Sequence, residues 1–349
     1  MIDNARRQVE QEMDMFATIE EFKKVLGNLP ERGEDAAQKA LERQSLLTKP
    51  QGSLGRLEEL AVWYCGWRGS AKPPLEKSQV IVFAGNHGVA ARNVSAFPVE
   101  VTEKMVQNFN AGGAAINQLA NCFGSKLTVR PLSLDKPTAD FTRGPAMSED
   151  EFVNALMAGW EAVDVESDLI TVGEMGIGNT TSAAAIAHSL FGGEAADWTG
   201  AGTGVKGEDL KRKAGVVALG VRENPAAHGN GLESLRCLGG REIAAMAGAM
   251  IKARVERIPV VLDGYICTAA AAALEVASRG ALEHAVAGHL SAEGSHPRLL
   301  SLINKRPILS LGMRLGEGSG GALAIGTIKA AMACHNGMAT FDEADISSR

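Results

Sequence analysis

Apolar residues at three- and four-residue intervals open the readable pattern: Phe16, Ile19, Phe22 and Leu26 fall on one face of a helix. A Gly27-Asn28-Leu29-Pro30 break and further amphipathic stretches follow, so the chain to about residue 70 is predicted helical, with no strand. From Ser78 the period changes. Short apolar runs rich in Val, Ile and Leu each end at a glycine and lead into an alanine-rich helical stretch, the βα repeat of a parallel sheet. Candidate strands are 79–84, 127–132, 168–172, 196–199, 259–262 and 284–289, with a weaker one at 308–311. Runs that are apolar throughout suit strands covered by helices on both faces. Ligands of such sheets sit at the carboxyl edge of the strands. After Gly318 one more alanine-rich helix runs to about Ala333 and a polar tail follows. The predicted fold is therefore α/β, a parallel sheet with helices on both faces. A small helical domain comes from both chain ends: residues 1–70, an α/β core over 71–317, and 318–349 rejoining the first part.

Composition narrows the class. With 349 residues, 45% hydrophobic and 22% charged, and a net charge of -6, the chain reads as soluble and globular, without the basic excess a nucleic-acid binder needs. No apolar run approaches the roughly 18 residues of a membrane span. Met1 to Glu10 already include Asp3, Arg6, Arg7 and Glu10, so the protein is read as cytoplasmic. The five cysteines form no C-x-x-C pair and read as free thiols. Glycine is the informative excess: 40 of 349 residues, about 11% against a usual 7% or so.

The glycines gather in three segments. Gly173-Glu174-Met175-Gly176-Ile177-Gly178-Asn179-Thr180-Thr181 follows an apolar strand and opens a helix at 182–189, where backbone N–H groups and the helix N terminus favour an anion. Asn179 or Thr180 suits the cap. Tight strand-to-helix turns also use glycine for steric reasons. The pattern recurs, however. Gly200-Ala201-Gly202-Thr203-Gly204 is expected to end another short strand, before a helix carrying Lys211, Arg212 and Lys213, one of which need point inward. Neither a Walker loop nor a strict G-x-G-x-x-G fingerprint is present, so neither a kinase nor a dehydrogenase is supported. Leu315-Gly316-Glu317-Gly318-Ser319-Gly320-Gly321 puts a carboxylate between glycines on a loop. That placement suits a general base, or Glu317 stands in a helix first turn where acids are favoured.

Other polar residues follow strand ends. Asn86-His87-Gly88 and His289, Ser291, Glu293 and His296 match no H-E-x-x-H spacing, so hydrogen bonding is read in preference to a metal site. Asp263-Gly264-Tyr265 either orients a ribose hydroxyl or caps the helix it precedes. Ser95-Ala96-Phe97-Pro98 supplies an aromatic beside a rigid turn.

Taken together, these segments resemble the nicotinate-nucleotide:dimethylbenzimidazole phosphoribosyltransferases over nearly the whole chain. The likeness runs from Lys49-Pro50-Gln51-Gly52-Ser53-Leu54-Gly55-Arg56-Leu57-Glu58 through His87-Gly88-Val89, Gly112-Gly113-Ala114-Ala115-Ile116-Asn117 and the 173–181 loop. It continues to Gly202-Thr203-Gly204, Gly239-Gly240, Asp263-Gly264 and Leu315-Gly316-Glu317-Gly318. The resemblance implies a Rossmann-like core, a homodimer, and catalysis with neither cofactor nor metal. The substrates would be nicotinate mononucleotide and a benzimidazole, 5,6-dimethylbenzimidazole in the family. It also implies roles: Glu317 as catalytic base; Glu174, Gly176, Gly202, Gly204, Lys213 and Ser291 around the nucleotide, chiefly its phosphate; Ser95, Phe97, Met175 and Leu315 as walls of the base pocket. The sequence departs from the family pattern at Asn86, Ala201, Lys206-Gly207 and Arg241, which bears on the contacts near His87 and the charge around the phosphate. The rivals are another nucleoside-monophosphate transferase or hydrolase, and a non-catalytic nucleotide-binding protein, which would be expected to lose Glu317.

Overall fold

The computed structural model describes residues 16–346; Met1 to Glu10, read above for their charges, lie outside them, as do 347–349. Its centre is a six-stranded sheet in the order β2-β1-β3-β4-β5-β6. The strands are β1 Ser78–Ala84, β2 Ser125–Pro131, β3 Leu169–Met175, β4 Val260–Leu262, β5 Ala285–His289 and β6 Pro307–Leu309. Every pairing is parallel. The chain lays β2 on one side of β1 and everything later on the other, which makes the β1/β3 boundary the switch point of the sheet.

The inner strands β1, β3, β4 and β5 are mostly apolar and buried because both faces are covered, while the edge strand β2 is mixed and partly exposed. In β1 all seven residues are buried. Ile81 and Phe83 enter the larger apolar cluster with Ile170, Val172 and Leu262 and the helices Glu149–Ala162, Asn179–Phe191, Arg241–Val255 and Tyr265–Ala277. Val80 and Val82, pointing the other way, join Leu169 and Val261 in a second cluster beneath the helices Arg56–Arg68, Ala115–Cys122 and Ser319–Gly337. The period of two is hidden in the sequence, since neither face meets water.

The predicted N-terminal helices appear as Ile19–Leu26, Glu34–Leu46 and Arg56–Arg68. The two ends of the chain meet there: the Arg43 guanidinium donates to the carbonyls of His335 and Met338, both at 2.9 Å, and Thr48 N–H donates to Ala339 O at 3.0 Å.

One predicted strand is wrong. Residues 196–199 lie largely within a one-turn helix, Ala195–Trp198, which is short, alanine-rich and pairs with no strand. Trp198 anchors it, donating from Nε1 to Gly192 O at 2.7 Å and carrying the Arg298 guanidinium on its ring at 4.3 Å. Among the described residues no helix is long and apolar enough to cross a membrane.

Candidate active site

The ends of β3, β4 and β5 and the loop after β6 surround a cavity of about 250 Å³. Glu174, the sixth residue of β3, is buried, and the Asn179 amide donates to its carboxylate. Burial first, then the neighbouring Asp263 and Glu242 charges, push the Glu174 carboxyl well above its usual range. The helix Asn179–Phe191 starts one turn later with Gly178 as its cap residue and no side-chain cap. Asn179 and Thr180 therefore do not cap as expected. Asn179 turns to Glu174, and Thr180 Oγ1 accepts from Lys213 Nζ at 2.8 Å. The positive end of that helix dipole still faces the cavity, because Asn179 and Thr180 both line it.

The second glycine loop follows the one-turn helix and not a strand. Of the three adjacent cations in the first part of the helix Gly207–Glu223, Lys211 and Arg212 pair on the surface with Glu208 and Asp209. Lys213 is 1% exposed and reaches under the loop to Gly200 O at 3.0 Å as well as to Thr180. Burial pushes its ammonium down to about 8, partly opposed by the Glu293 charge. Gly202 N–H, expected to point at an anion, donates to Glu293 Oε1 at 3.1 Å, while Arg314 Nη1 donates to Gly202 O at 3.1 Å. The loop is thus held from both sides by residues after β5 and β6.

Glu317 stands outside the helix Ser319–Gly337, whose cap residue is Gly318, so a place in its first turn is ruled out. Gly316, Glu317 and Gly318 have φ of 83°, 64° and 80°, three left-handed residues in succession. For Glu317 that conformation costs about 1–2 kcal/mol, which the surroundings must offset. One source is Gly173 in β3: a Cβ there would lie 2.3 Å from Gly318 N and 2.4 Å from the Glu317 carbonyl carbon, so only glycine lets the turn lie on the strand. The other is Asp263, which caps neither its own helix nor faces the cavity. Its Oδ2 accepts from Gly318 N–H at 3.1 Å and its Oδ1 from Gly321 N–H at 2.9 Å. Glu317 is 6% exposed and its Oε2 has no hydrogen-bond partner. Burial, and after it the Asp263 charge, pushes its carboxyl up to about 7.

Of the residues singled out from sequence, Glu174, Met175, Gly176, Gly202, Ser291, Phe97 and Leu315 line the cavity. Glu317 is off the wall but next to Gly316 on it; Lys213 is buried off the wall, and Gly204 is exposed on the second glycine loop, also off the wall. Ser95 is not on the wall but its hydroxyl meets that of Thr203, which is, at 3.0 Å. Thr203, Tyr265 and Arg314 also line the site without having been picked out for it. Thr203 and Tyr265 belong to quoted motifs and Arg314 adjoins one, and that placement was the only signal available.

His87 and His296 are held by buried hydrogen bonds off the cavity wall, whereas His289 lines the cavity with its Nδ1 unpartnered. His87 is buried behind the first glycine loop between Glu242 Oε1 at 2.6 Å and Ser182 Oγ at 3.0 Å. His296 accepts from Ser291 N–H at 2.9 Å and meets Thr268 Oγ1 at 2.8 Å; burial pushes it down to about 3. The departures from the family pattern also have local roles. Asn86 donates to Leu134 O at 2.8 Å, and Arg241 reaches Glu151 Oε1 at 2.6 Å and Lys136 O, none of them on the cavity wall. Among the described residues no group of three or more His, Cys, Asp or Glu is arranged to hold a metal ion.

Against known proteins, a family model described as phosphoribosyltransferase matches residues 29–346. A protein of Cereibacter sphaeroides named nicotinate-nucleotide–dimethylbenzimidazole phosphoribosyltransferase is 60% identical over 332 residues, covering 95% of this chain and 98% of its own length. A Ruegeria pomeroyi protein of the same name is 62% identical over 331 residues, 94% of this chain and 97% of that one. The crystal structure of CobT from Thermus thermophilus superposes with a TM-score of 0.83 at 38% identity, over 90% of this chain and all of that one.

Proposed function

This chain belongs to the nicotinate-nucleotide–dimethylbenzimidazole phosphoribosyltransferases, and we propose that it performs their transfer in the cavity at the strand ends, with Glu317 as general base. It moves the 5-phosphoribosyl group of nicotinate mononucleotide to 5,6-dimethylbenzimidazole, releases nicotinate and forms α-ribazole 5'-phosphate. The donor holds a quaternary pyridinium on C1 of the ribose. Its departure neutralises that charge, so the leaving group needs no acid. The incoming base attacks through one ring nitrogen from the opposite face and inverts C1 from β to α. Its other nitrogen must shed a proton, a task for a positioned carboxylate.

The observation that carries this reading is the Glu317 carboxyl: buried, pushed up to about 7, with one oxygen unpartnered beside the cavity wall. A carboxyl near neutrality is half ionised at working pH and basic enough to hold the proton it takes. The base is assigned to Phe97, Met175 and Leu315 on the wall, with Glu317 next to Gly316 of that wall. The phosphate is assigned to Thr180, Gly176, Gly202 and Ser291, with the Lys213 ammonium behind them and Glu174 at the ribose. Fixing the phosphate aligns C1 with the attacking nitrogen, an effect worth several kcal/mol. Gly204 belongs to the same loop, and Ser95 supports the pocket through Thr203. A homodimer working in the cytoplasm completes the proposal.

The test is nicotinate release by the purified protein supplied with nicotinate mononucleotide, with and without 5,6-dimethylbenzimidazole. Release that depends on the acceptor is expected. Release without any acceptor makes the protein a hydrolase.

A further inference from the structure

The transfer leaves Asp263 without a task, although it is 1% exposed, directly follows β4 and bonds the backbone next to Glu317. A buried carboxylate is kept only where its hydrogen bonds are satisfied, and those of Asp263 all run to other parts of the active site. Its own N–H donates to Cys267 Sγ at 3.3 Å, fixing it at the end of β4. Its two oxygens take the Gly318 and Gly321 N–H groups, one on each side of the start of the last helix. His289 Nε2, from β5, stands 3.6 Å from Oδ1. Glu317 therefore rests on a backbone clamped by Asp263 on one side and by the missing Cβ of Gly173 on the other.

We propose that Asp263 is the positioning residue for Glu317: it holds the left-handed turn that presents the base, and it sets a fixed negative charge beside it. This deepens the assignment of Glu317 as base and rests on it. The acidic groups around Glu317 are Glu174 from β3 and Asp263 from the end of β4, and His289 of β5 stands 3.6 Å from Asp263 and packs on Gly320. A carboxylate surrounded by like charge gives up its proton less readily and is a stronger base once ionised. Two effects follow that a purely structural residue would not couple, one on placement and one on basicity.

Asp263→Asn keeps the shape but removes the charge and turns one acceptor into a donor facing a backbone N–H. Its expected result is a plateau kcat lowered about tenfold or more, a KM for nicotinate mononucleotide within about twofold, and an acid limb of the kcat profile moved down by about one pH unit. Asp263→Glu restores the charge and misplaces it; kcat falls while the limb stays at the wild-type pH. If the Asn variant does not fold, the Glu variant decides alone, since wild-type kcat in it overturns the placement role. A lowered kcat in the Asn variant with an unmoved limb reduces Asp263 to scaffold and overturns the inference. Glu317→Gln is run beside them: near-normal turnover in that variant refutes the base assignment itself, a failure separable from that of Asp263.

Discussion

Replacing Glu317 by Gln is expected to trade activity for stability. The carboxyl is pushed from 4.5 up to about 7. That difference corresponds to about 3 kcal/mol, or about 2 kcal/mol after allowing for solvent screening beside the open cavity. The folded value lies above the unfolded one, so the contribution to stability is fully present below pH 4.5 and is lost as pH rises through about 7. The wild type thus carries a penalty at pH 8 that it lacks at pH 4.5, and an uncharged amide carries it at neither. With an unfolding entropy of about 2.1 cal/mol/K per residue over 349 residues, 2 kcal/mol is about 3 °C in Tm. Calorimetry is expected to show Glu317→Gln melting about 3 °C above wild type at pH 8 and level with it near pH 4.5. Turnover of nicotinate mononucleotide with 5,6-dimethylbenzimidazole drops by roughly 10²- to 10⁴-fold, while nucleotide binding stays near normal. A Tm difference that is the same at both pH values, or turnover near wild type, refutes the reasoning.

Lys213→Ala is expected to weaken nicotinate mononucleotide binding more than benzimidazole binding, measured by calorimetric titration; equal losses argue against a phosphate role. Because burial pushes the Lys213 ammonium down to about 8, wild-type affinity for the nucleotide should fall above that pH, and the alanine variant should lose this dependence. Gly173→Ala forces a methyl to 2.3 Å from Gly318 N, so steady-state kinetics should show kcat reduced well beyond any change in the nucleotide KM. His87→Ala leaves the fully buried Glu242 without its partner and should cost about 3 kcal/mol in urea unfolding, with no requirement for substrate.

The hydrophobic pattern located all six strands, 308–311 included, and most clearly the inner ones, because a strand covered on both faces leaves a continuous apolar run. It failed at 196–199, where a short apolar segment with no neighbouring strand curls into one helical turn around Trp198. The cationic trio shows the same limit. Three adjacent charges on one helix read alike until packing buries Lys213 and leaves Lys211 and Arg212 to surface acids. Arg314 carried no pattern, since a residue on an irregular loop has no period to betray which way it points.

Glycine spacing in the sequence was enough to mark the loops of the site, because close backbone approach demands glycine whatever the rest of the chain does. What sequence left open were the partners: whether Glu317 stands in a helix or before it, and what Asp263 touches. Those depend on contacts such as that of Asp263 with Gly318, 55 residues apart in sequence, at the end of β4 and after β6, brought together only by the strand order of the sheet. Burial and like charge, which raise the Glu317 carboxyl toward neutrality, are properties of that meeting and of no single segment.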